Sequence, residues 1–249
     1  MTGLRVAACQ TPEILGDVDA ALTCVEDFAR RAGDADLLLF PECFLQGYLV
    51  EADHLTRYAL DLRSAEFAAV CRRLAPIRPT VVLGVIERRE DRLLNSAVVL
   101  DRGELSGCYR KTHLVPGEAL FDPGDAYPVF DRNGVRFGIN ICYDAQFPAA
   151  AAAVAAQDAD VLLLPTQNMM RRENAERWKP RHNEIRRQRV RETGMWLVSA
   201  DVTGERGSER VGLGPTCAIN PAGEVVAQVP PMTVGHIVVE ISRRYQVPG

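Results

Sequence analysis

Glu42 and Cys142 are the two side chains whose surroundings most favour chemistry. Glu42 directly follows the apolar run ADLLLFP, at the carboxyl end of a predicted strand, where α/β sheets place their ligands. Burial there raises the pKa of a carboxyl group, so that it can act as a base near neutral pH. Cys142 ends the apolar run that begins at Val135 and precedes a helix that starts with Pro148. Its thiol is expected to face a cleft, close to backbone N–H groups that lower a thiol pKa and bind an oxyanion.

A third candidate, Lys111, lies in the segment YRKTHLVPGE. Its functional interpretation is a fixed positive charge beside a developing oxyanion, with Glu118 holding the ammonium group in place. All three candidates also have ordinary interpretations, because glutamates and lysines are mostly solvated and cysteines at strand ends are often core residues.

The remaining six cysteines are weaker candidates for a nucleophile. Cys9 and Cys217 fit a packing role, since nothing reactive flanks them. Cys43 is the serious competitor because it follows Glu42. Alternation along an extended chain points it away from whatever Glu42 faces, which favours packing.

The elements that must position these residues alternate between strands and helices. Apolar runs predict strands at Leu4–Cys9, Ala35–Pro41 and Val135–Cys142, among others, and helical spacing predicts a helix over Asp17–Arg31. Charged segments predict hairpin turns. These turn segments are Glu87–Leu93 and Asp101–Leu105.

The segments ADLLLFP and ADVLLLP nearly repeat each other, one in each half of the chain. Each predicts a strand that is buried on both faces and ends where a loop leaves the sheet. Two similar halves indicate a two-layered β core covered by helices, in a single domain over residues 1–249.

Composition narrows the classes of function. The chain has a formal net charge of −4 and 25% charged residues, and this balance disfavours binding to nucleic acid. Apolar runs are too short for an export signal or a membrane span, and an odd number of cysteines without CxxC pairs indicates reduced thiols. We therefore expect a cytoplasmic protein without disulfides. Four histidines without ligand spacing argue against a metal site.

In order and local wording, the chain resembles the nitrilase superfamily of carbon–nitrogen hydrolases. The motifs that carry the resemblance are FPECFLQGY around Glu42, YRKTHL with Glu118 and FDPG following, and INICYDAQFP around Cys142. VLLLP, RVRET and GLGPTCAINPAG support it, so that the likeness runs from Val6 to Val239.

The resemblance implies an α/β fold, a four-layer α-β-β-α sandwich, paired into homodimers or larger homo-oligomers. It also implies a Glu-Lys-Cys triad at Glu42, Lys111 and Cys142, a supporting Glu118, and no metal or organic cofactor. This sequence departs from the common pattern at Gln146, where many relatives carry Arg, and at Ala149, where the amidase-like branches often carry Glu. These departures bear on the choice of substrate.

The chemistry implied is acyl transfer through a Cys thioester. The ammonium group of Lys111 and the backbone N–H of Tyr143 would stabilise the oxyanion. The Tyr143-Asp144 pair resembles amidases and carbamoylases, so a small-molecule amide or carbamoyl substrate is favoured over a nitrile. Pocket candidates lie just beyond the second repeated strand. They are Asn168, Met169 and Met170.

The polar, Arg-rich segment over residues 171–191 allows two interpretations. Arg186, Arg187 and Arg189 could attract a substrate carboxylate, but a solvated or subunit-facing helix is favoured for this cluster.

Other classes of protein remain as alternatives. A nitrilase acting on nitriles and a non-catalytic binding protein derived from the superfamily are the main ones. A Cys-His protease would have to use His113 or His182, and no protease-type sequence surrounds Cys142.

Overall fold

Fifteen strands and five helices form within residues 3–243, the part of the chain that the computed structural model describes. Residues 1–2 and 244–249 of the predicted single domain lie outside this part. The helices are α1 (Val18–Arg31), α2 (Ala52–Tyr58), α3 (Ala65–Leu74), α4 (Pro148–Ala155) and α5 (Arg172–Thr193). The strands are β1 (Gly3–Pro12), β2 (Leu37–Leu39), β3 (Thr80–Arg89), β4 (Arg92–Asp101), β5 (Glu104–Arg110), β6 (Val129–Arg132), β7 (Val135–Ile139), β8 (Val161–Pro165), β9 (Met169–Arg171), β10 (Trp196–Ala200), β11 (Val202–Arg206), β12 (Arg210–Gly212), β13 (Cys217–Ile219), β14 (Val225–Gln228) and β15 (Gly235–Ser242).

The strands form two sheets. The first has nine strands in the order β5-β4-β3-β2-β1-β11-β12-β9, and β15 pairs with β1 in antiparallel fashion. The second has six strands in the order β14-β13-β10-β8-β7-β6. In each sheet a short central strand has a parallel neighbour on both sides: β1 and β3 flank β2, and β7 and β10 flank β8.

Three hydrophobic clusters pack the helices and the two sheets into four layers. Side chains of α1 and α3 pack on one face of the first sheet, and the inner faces of the two sheets pack on each other. A third cluster joins the outer face of the second sheet to α4 and α5. The predicted α-β-β-α sandwich is therefore confirmed.

The repeated segments occupy equivalent places in the two sheets, as the sequence predicts. In β2, Leu38 faces the helices, whereas Leu37 and Leu39 face the other sheet. In β8, Leu162 faces the helices and Leu163 the other sheet. Strands buried on both faces must be apolar throughout, which explains the two leucine-rich runs.

Three of the predicted segments have wrong boundaries. A hairpin turn does lie within the segment Glu87–Leu93, but it is limited to residues 90–91, between β3 and β4, and the rest of the segment is strand. Glu87 is buried there and accepts hydrogen bonds from Arg110 and Ser96, so its charge does not expel it from the sheet. The strand predicted over Val135–Cys142 ends at Ile139. The loop predicted over Asp101–Leu105 likewise narrows to residues 102–103.

Local signals explain the helix that precedes the first repeated segment. Asp17 caps α1 by accepting a hydrogen bond from the backbone N–H of Ala20 at 2.9 Å, and the apolar side chains lie at helical spacing on the buried face. Within residues 3–243, no helix combines the length and the apolar character that crossing a membrane requires.

Candidate active site

Glu42 lies in a tight loop that follows β2 of the first sheet and contacts the loop that follows β8 of the second. Its backbone N–H donates to the carbonyl of Thr166, which follows β8, at 3.3 Å. The loop packs directly on Gly84 of β3, where an added Cβ would overlap the carbonyl oxygen of Pro41 and the amide nitrogen of Cys43. Glycine at this position is what allows the Glu42 loop to lie against the sheet.

The carboxyl group of Glu42 is 1% exposed. Its Oε1 accepts hydrogen bonds from Lys111 Nζ at 2.7 Å and from Asn95 Nδ2 at 2.7 Å, and among the described residues no donor bonds Oε2. Burial raises the pKa of Glu42 to about 7, the charge of Lys111 acting against the shift and that of Glu118 adding to it. Oε2 is thus a proton acceptor poised near neutral pH.

Lys111 is 1% exposed and lies between two carboxylates. Its Nζ donates to Glu118 Oε1 at 2.9 Å as well as to Glu42, which leaves one of its three N–H groups for a further acceptor. Burial alone would lower the pKa of Lys111, but electrostatic interactions with Glu42, Cys142 and Glu118 raise it overall. The ammonium group therefore stays charged in a buried place.

Glu118 is fully buried and fixed by a turn of 3₁₀ helix at Pro116–Glu118. Its Oε2 accepts from the backbone N–H of Val115 at 2.9 Å, while Oε1 faces Lys111. The supporting role that the resemblance implies for Glu118 is compatible with this geometry.

Sequence reasoning missed Asn95, which joins the two glutamates. Its Nδ2 donates to Glu42 Oε1 at 2.7 Å and to Glu118 Oε1 at 3.0 Å. The available signal was an amide at the start of the run NSAVVL, because an asparagine buried in a strand needs partners.

Cys142 follows β7 by three residues and begins a 3₁₀ turn, Cys142–Gln146. Its backbone φ is +45°, in the left-handed region that costs a non-glycine residue energy. The residue is partly exposed and lines a cavity, as expected. Its pKa is not lowered, however: burial and then the charge of Glu42 raise it well above the ordinary value, while Lys111 and a backbone hydrogen bond from Gln167 act against the shift.

Asp144 fixes this turn to the loop that carries Lys111. Its carboxylate is fully buried and accepts from the backbone N–H of Ile141 and of His113, both at 2.9 Å. The hydroxyls of Tyr109 and Thr112 donate to the same carboxylate at 2.7 and 2.9 Å. Asp144 thus acts as a positioning residue, which its sequence neighbours alone do not reveal.

The cavity beside Cys142 has a volume of about 240 Å³. Two of the three pocket candidates, Asn168 and Met170, line it. Tyr143 also lines it, and so does Gln146, one of the positions that departs from the family pattern. Met169 does not line it, because neighbouring residues of β9 point to opposite faces and Met169 is buried against Gly212. Ala149 lies exposed on α4, outside the cavity.

The arginine cluster is not a solvated face. Arg186 and Arg189 are each 2% exposed on α5. Arg186 Nη1 donates to the carbonyl of Pro215 at 2.7 Å, and Arg189 Nη1 donates to that of Ala145 at 3.1 Å. The sequence alone does not reveal that the carbonyls of Pro215 and Ala145 accept hydrogen bonds from these two guanidinium groups. Only Arg187 is partly solvated.

Cys43 and His113, two further candidates from the sequence, make packing contacts. Cys43 is fully buried in a small apolar cluster with Leu55, Ile86 and Phe121, which is the packing role expected of it. The ring of His113 stacks on Phe147 at 3.8 Å between centroids. Within residues 3–243, no group of three or more His, Cys, Asp or Glu side chains could hold a metal ion.

Comparison with known proteins identifies the family. Residues 5–246 match the carbon–nitrogen hydrolase family. An (R)-stereoselective amidase of a Pseudomonas species is 32% identical over 211 residues, which cover 84% of this chain and 74% of the relative. A nitrilase of Pyrococcus abyssi is 31% identical over 233 residues, which cover 90% and 84%. The chain belongs to the carbon–nitrogen hydrolases of the nitrilase superfamily.

The solved structures agree with this assignment. An amidase from Nesterenkonia sp. aligns with a TM-score of 0.81 at 28% identity, covering 97% of this chain and 91% of that one. A Glu-to-Gln mutant of the same amidase carries the acetamide moiety of fluoroacetamide, covalently added at its active site cysteine.

Proposed function

We propose that this protein hydrolyses the C–N bond of small amides through a thioester on Cys142. The observation that carries the proposal is the buried cluster of Glu42, Lys111 and Glu118 next to Cys142, which lines a cavity. The charges of Glu42 and Lys111 act on the Cys142 thiol. Buried charges are costly, and a structure retains them where their chemistry is used.

In the first half of the reaction, Cys142 Sγ attacks the carbonyl carbon of the amide and Glu42 takes the thiol proton. The raised pKa of Cys142 makes this transfer necessary, since the resting thiol is protonated at neutral pH. The remaining N–H of Lys111 and the backbone N–H of Tyr143 stabilise the oxyanion. Glu42 then returns the proton to the leaving nitrogen, ammonia or an amine departs, and the thioester remains.

In the second half, water attacks the thioester carbon and Glu42 accepts a proton from it. The tetrahedral intermediate collapses, the C–S bond breaks, and the acid leaves while the sulfur regains its proton. A pKa of about 7 suits a group that must alternately accept and donate a proton at neutral pH.

An amide is favoured over a nitrile because Tyr143-Asp144 follows the nucleophile, as in the amidase-like branches. The similar proteins include both an amidase and a nitrilase. Nitrile hydrolysis therefore stands as the competing outcome, and N-carbamoyl compounds as a further one.

The test is ammonia release from a panel of simple amides, N-carbamoyl compounds and nitriles. We expect amides or carbamoyl compounds to turn over faster than the matching nitriles; a clear preference for a nitrile contradicts the proposed substrate class. Glu42→Gln should fold normally and lose about 10²-fold or more in kcat, because an amide oxygen cannot accept and return the proton.

A matched control is Asp160→Asn, which changes a buried acid at the opposite end of β8. It should retain turnover within about tenfold of the unchanged protein. Activity in Cys142→Ala would end the mechanism altogether.

A further inference from the structure

The cavity beside Cys142 is lined mainly by apolar groups. One wall is a single face of α5, where Trp178, His182, Ile185 and Arg186 follow at helical spacing. The apolar residues around the rest of the cavity come from four other parts of the chain. They are Val115, Ala145, Leu164 and Met170.

Arg186 lines the cavity, but its side chain is buried and its Nη1 is already engaged. It is 2% exposed, and its Nη1 donates to the carbonyl of Pro215 at 2.7 Å. Its positive charge also acts on the buried carboxylate of Asp201, whose pKa burial raises and Arg186 draws back down. A substrate carboxylate would have to compete with Asp201 for this charge after losing its own hydration, which is costly in a buried place.

His182 supplies no positive charge either. Burial lowers the pKa of His182 to about 3, and the neighbouring charge of Arg186 acts in the same direction. The ring is therefore neutral at neutral pH. Its centroid lies 6.1 Å from that of Trp178, so the two rings form one wall.

Arg181, beside Trp178 on α5, is not positioned to hold an anion inside the cavity. The guanidinium carbon of Arg181 lies 5.6 Å from the centroid of the Trp178 ring, but this residue is exposed to solvent and does not line the cavity. Water and salt screen an exposed charge. The polar lining residues that complete the cavity are uncharged. They are Tyr143, Gln146, Thr166 and Asn168.

We propose that the substrate's acyl group is small, uncharged and largely apolar, and that Trp178, Ile185 and Met170 select it. This inference rests on the proposed amide hydrolysis and names the substrate class of the same site. The volume of about 240 Å³ lies below the ~300–1,000 Å³ of pockets for drug-sized ligands, which fits a short aliphatic chain or one ring. Arg186 is a structural residue of the wall and does not bind a carboxylate.

The experiment compares two amides of nearly equal shape, 4-methylpentanamide and succinamate, in which a carboxylate replaces the isopropyl group. We expect kcat/KM from ammonia release to favour 4-methylpentanamide by at least tenfold. A smaller ratio, or a preference for succinamate, overturns the inference.

Two variants assign the preference to the cavity wall. Trp178→Ala should lower kcat/KM for 4-methylpentanamide at least fivefold more than for acetamide, which has no chain to contact the wall. Met170→Lys should raise the ratio of succinamate to 4-methylpentanamide at least tenfold, since it adds a cation at a partly exposed lining position. The control is Lys179→Ala, an exposed residue outside the cavity, which should alter neither ratio. Unchanged ratios in both wall variants overturn the inference.

If no amide is turned over, the proposed function fails by itself. Calorimetric titration of the same folded protein with 4-methylpentanamide and with succinamate then decides the inference by the same tenfold criterion, applied to the two dissociation constants.

Discussion

Glu42 and Cys142 both hold their protons more tightly than they would in water, for related reasons. Burial raises both pKa values, and the charge of Glu42 adds to the shift of the thiol. In the proposed mechanism, one proton moves between these two groups when a substrate binds. The raised pKa of Lys111 keeps its ammonium group charged, as the proposed role of a fixed donor requires.

The pH dependence of turnover should report the carboxyl group. Only deprotonated Glu42 can accept the thiol proton, so kcat/KM for a neutral amide should fall as pH drops below about 7 and level off above it. The measurement is a profile of kcat/KM from about pH 5 to about pH 9. A profile without an inflection near neutral pH would remove Glu42 as the base.

Alkylation should distinguish the seven cysteines. Cys142 is partly exposed at the cavity next to a base, whereas Cys9, Cys43 and Cys217 are buried. An equimolar dose of iodoacetamide, followed by peptide mapping, should place the modification on Cys142 and remove activity in parallel.

The control for this experiment compares two serine variants. Cys142→Ser should be inactive, and Cys43→Ser should remain active because Cys43 packs against apolar residues. Modification spread over Cys24, Cys71 and Cys108 with activity retained would contradict the assignment.

At the scale of elements, the site depends on three loops that leave strands within a short distance of one another. Gly84 allows the Glu42 loop to lie on β3. Asp144 joins the Cys142 turn to the Lys111 loop by hydrogen bonds. Asn95, which lies in β4, donates hydrogen bonds to both Glu42 and Glu118. The rigid sheets set these loops, so the reactive groups need little reorganisation on binding.

Gly84→Ala should disturb the Glu42 loop directly. An added Cβ overlaps backbone atoms of Pro41 and Cys43, which cannot rotate away. We therefore expect the free energy of unfolding to fall by about 1–3 kcal/mol and the activity to fall with it. Denaturant unfolding and ammonia release are the two measurements. Gly117→Ala is the control, since an added Cβ there meets nothing within 4 Å; equal stability of the two variants would show that the close approach is not important.

The sequence predicts those parts of this arrangement that depend on local pattern. Apolar runs place β2 and β8, and motif wording places Glu42, Lys111 and Cys142. Partners that are distant in sequence are what pattern reasoning misses. Glu87 lies in a strand because Arg110 neutralises it, and Arg186 is buried because the carbonyl of Pro215 accepts from it.

At the scale of the whole molecule, the two sheets bring the halves of the chain together at one point. Glu42 follows the central strand of the first sheet and Thr166 that of the second, and a backbone hydrogen bond joins them. The apolar side chains between the sheets hold this junction, each fully buried leucine contributing roughly 1.5–3 kcal/mol. The site thus depends on both halves and on their packing.

The pairing of β1 with β15 has a consequence for how the chain reaches this state. Gly3 lies opposite Ser242 and Gln10 opposite Gly235, so β15 covers one hydrogen-bonding edge of β1 along most of its length. During synthesis that edge stays unpaired until β15, more than 200 residues further along the chain, has emerged. An unpaired apolar edge promotes aggregation. Pairing across such a sequence separation is also slow.

Pulsed hydrogen exchange during refolding should therefore show the amides of β15 protected after those of the hairpin β3–β4; earlier protection of β15 would contradict this order. A newly made chain is therefore most at risk of aggregation in the interval before β1 pairs with β15.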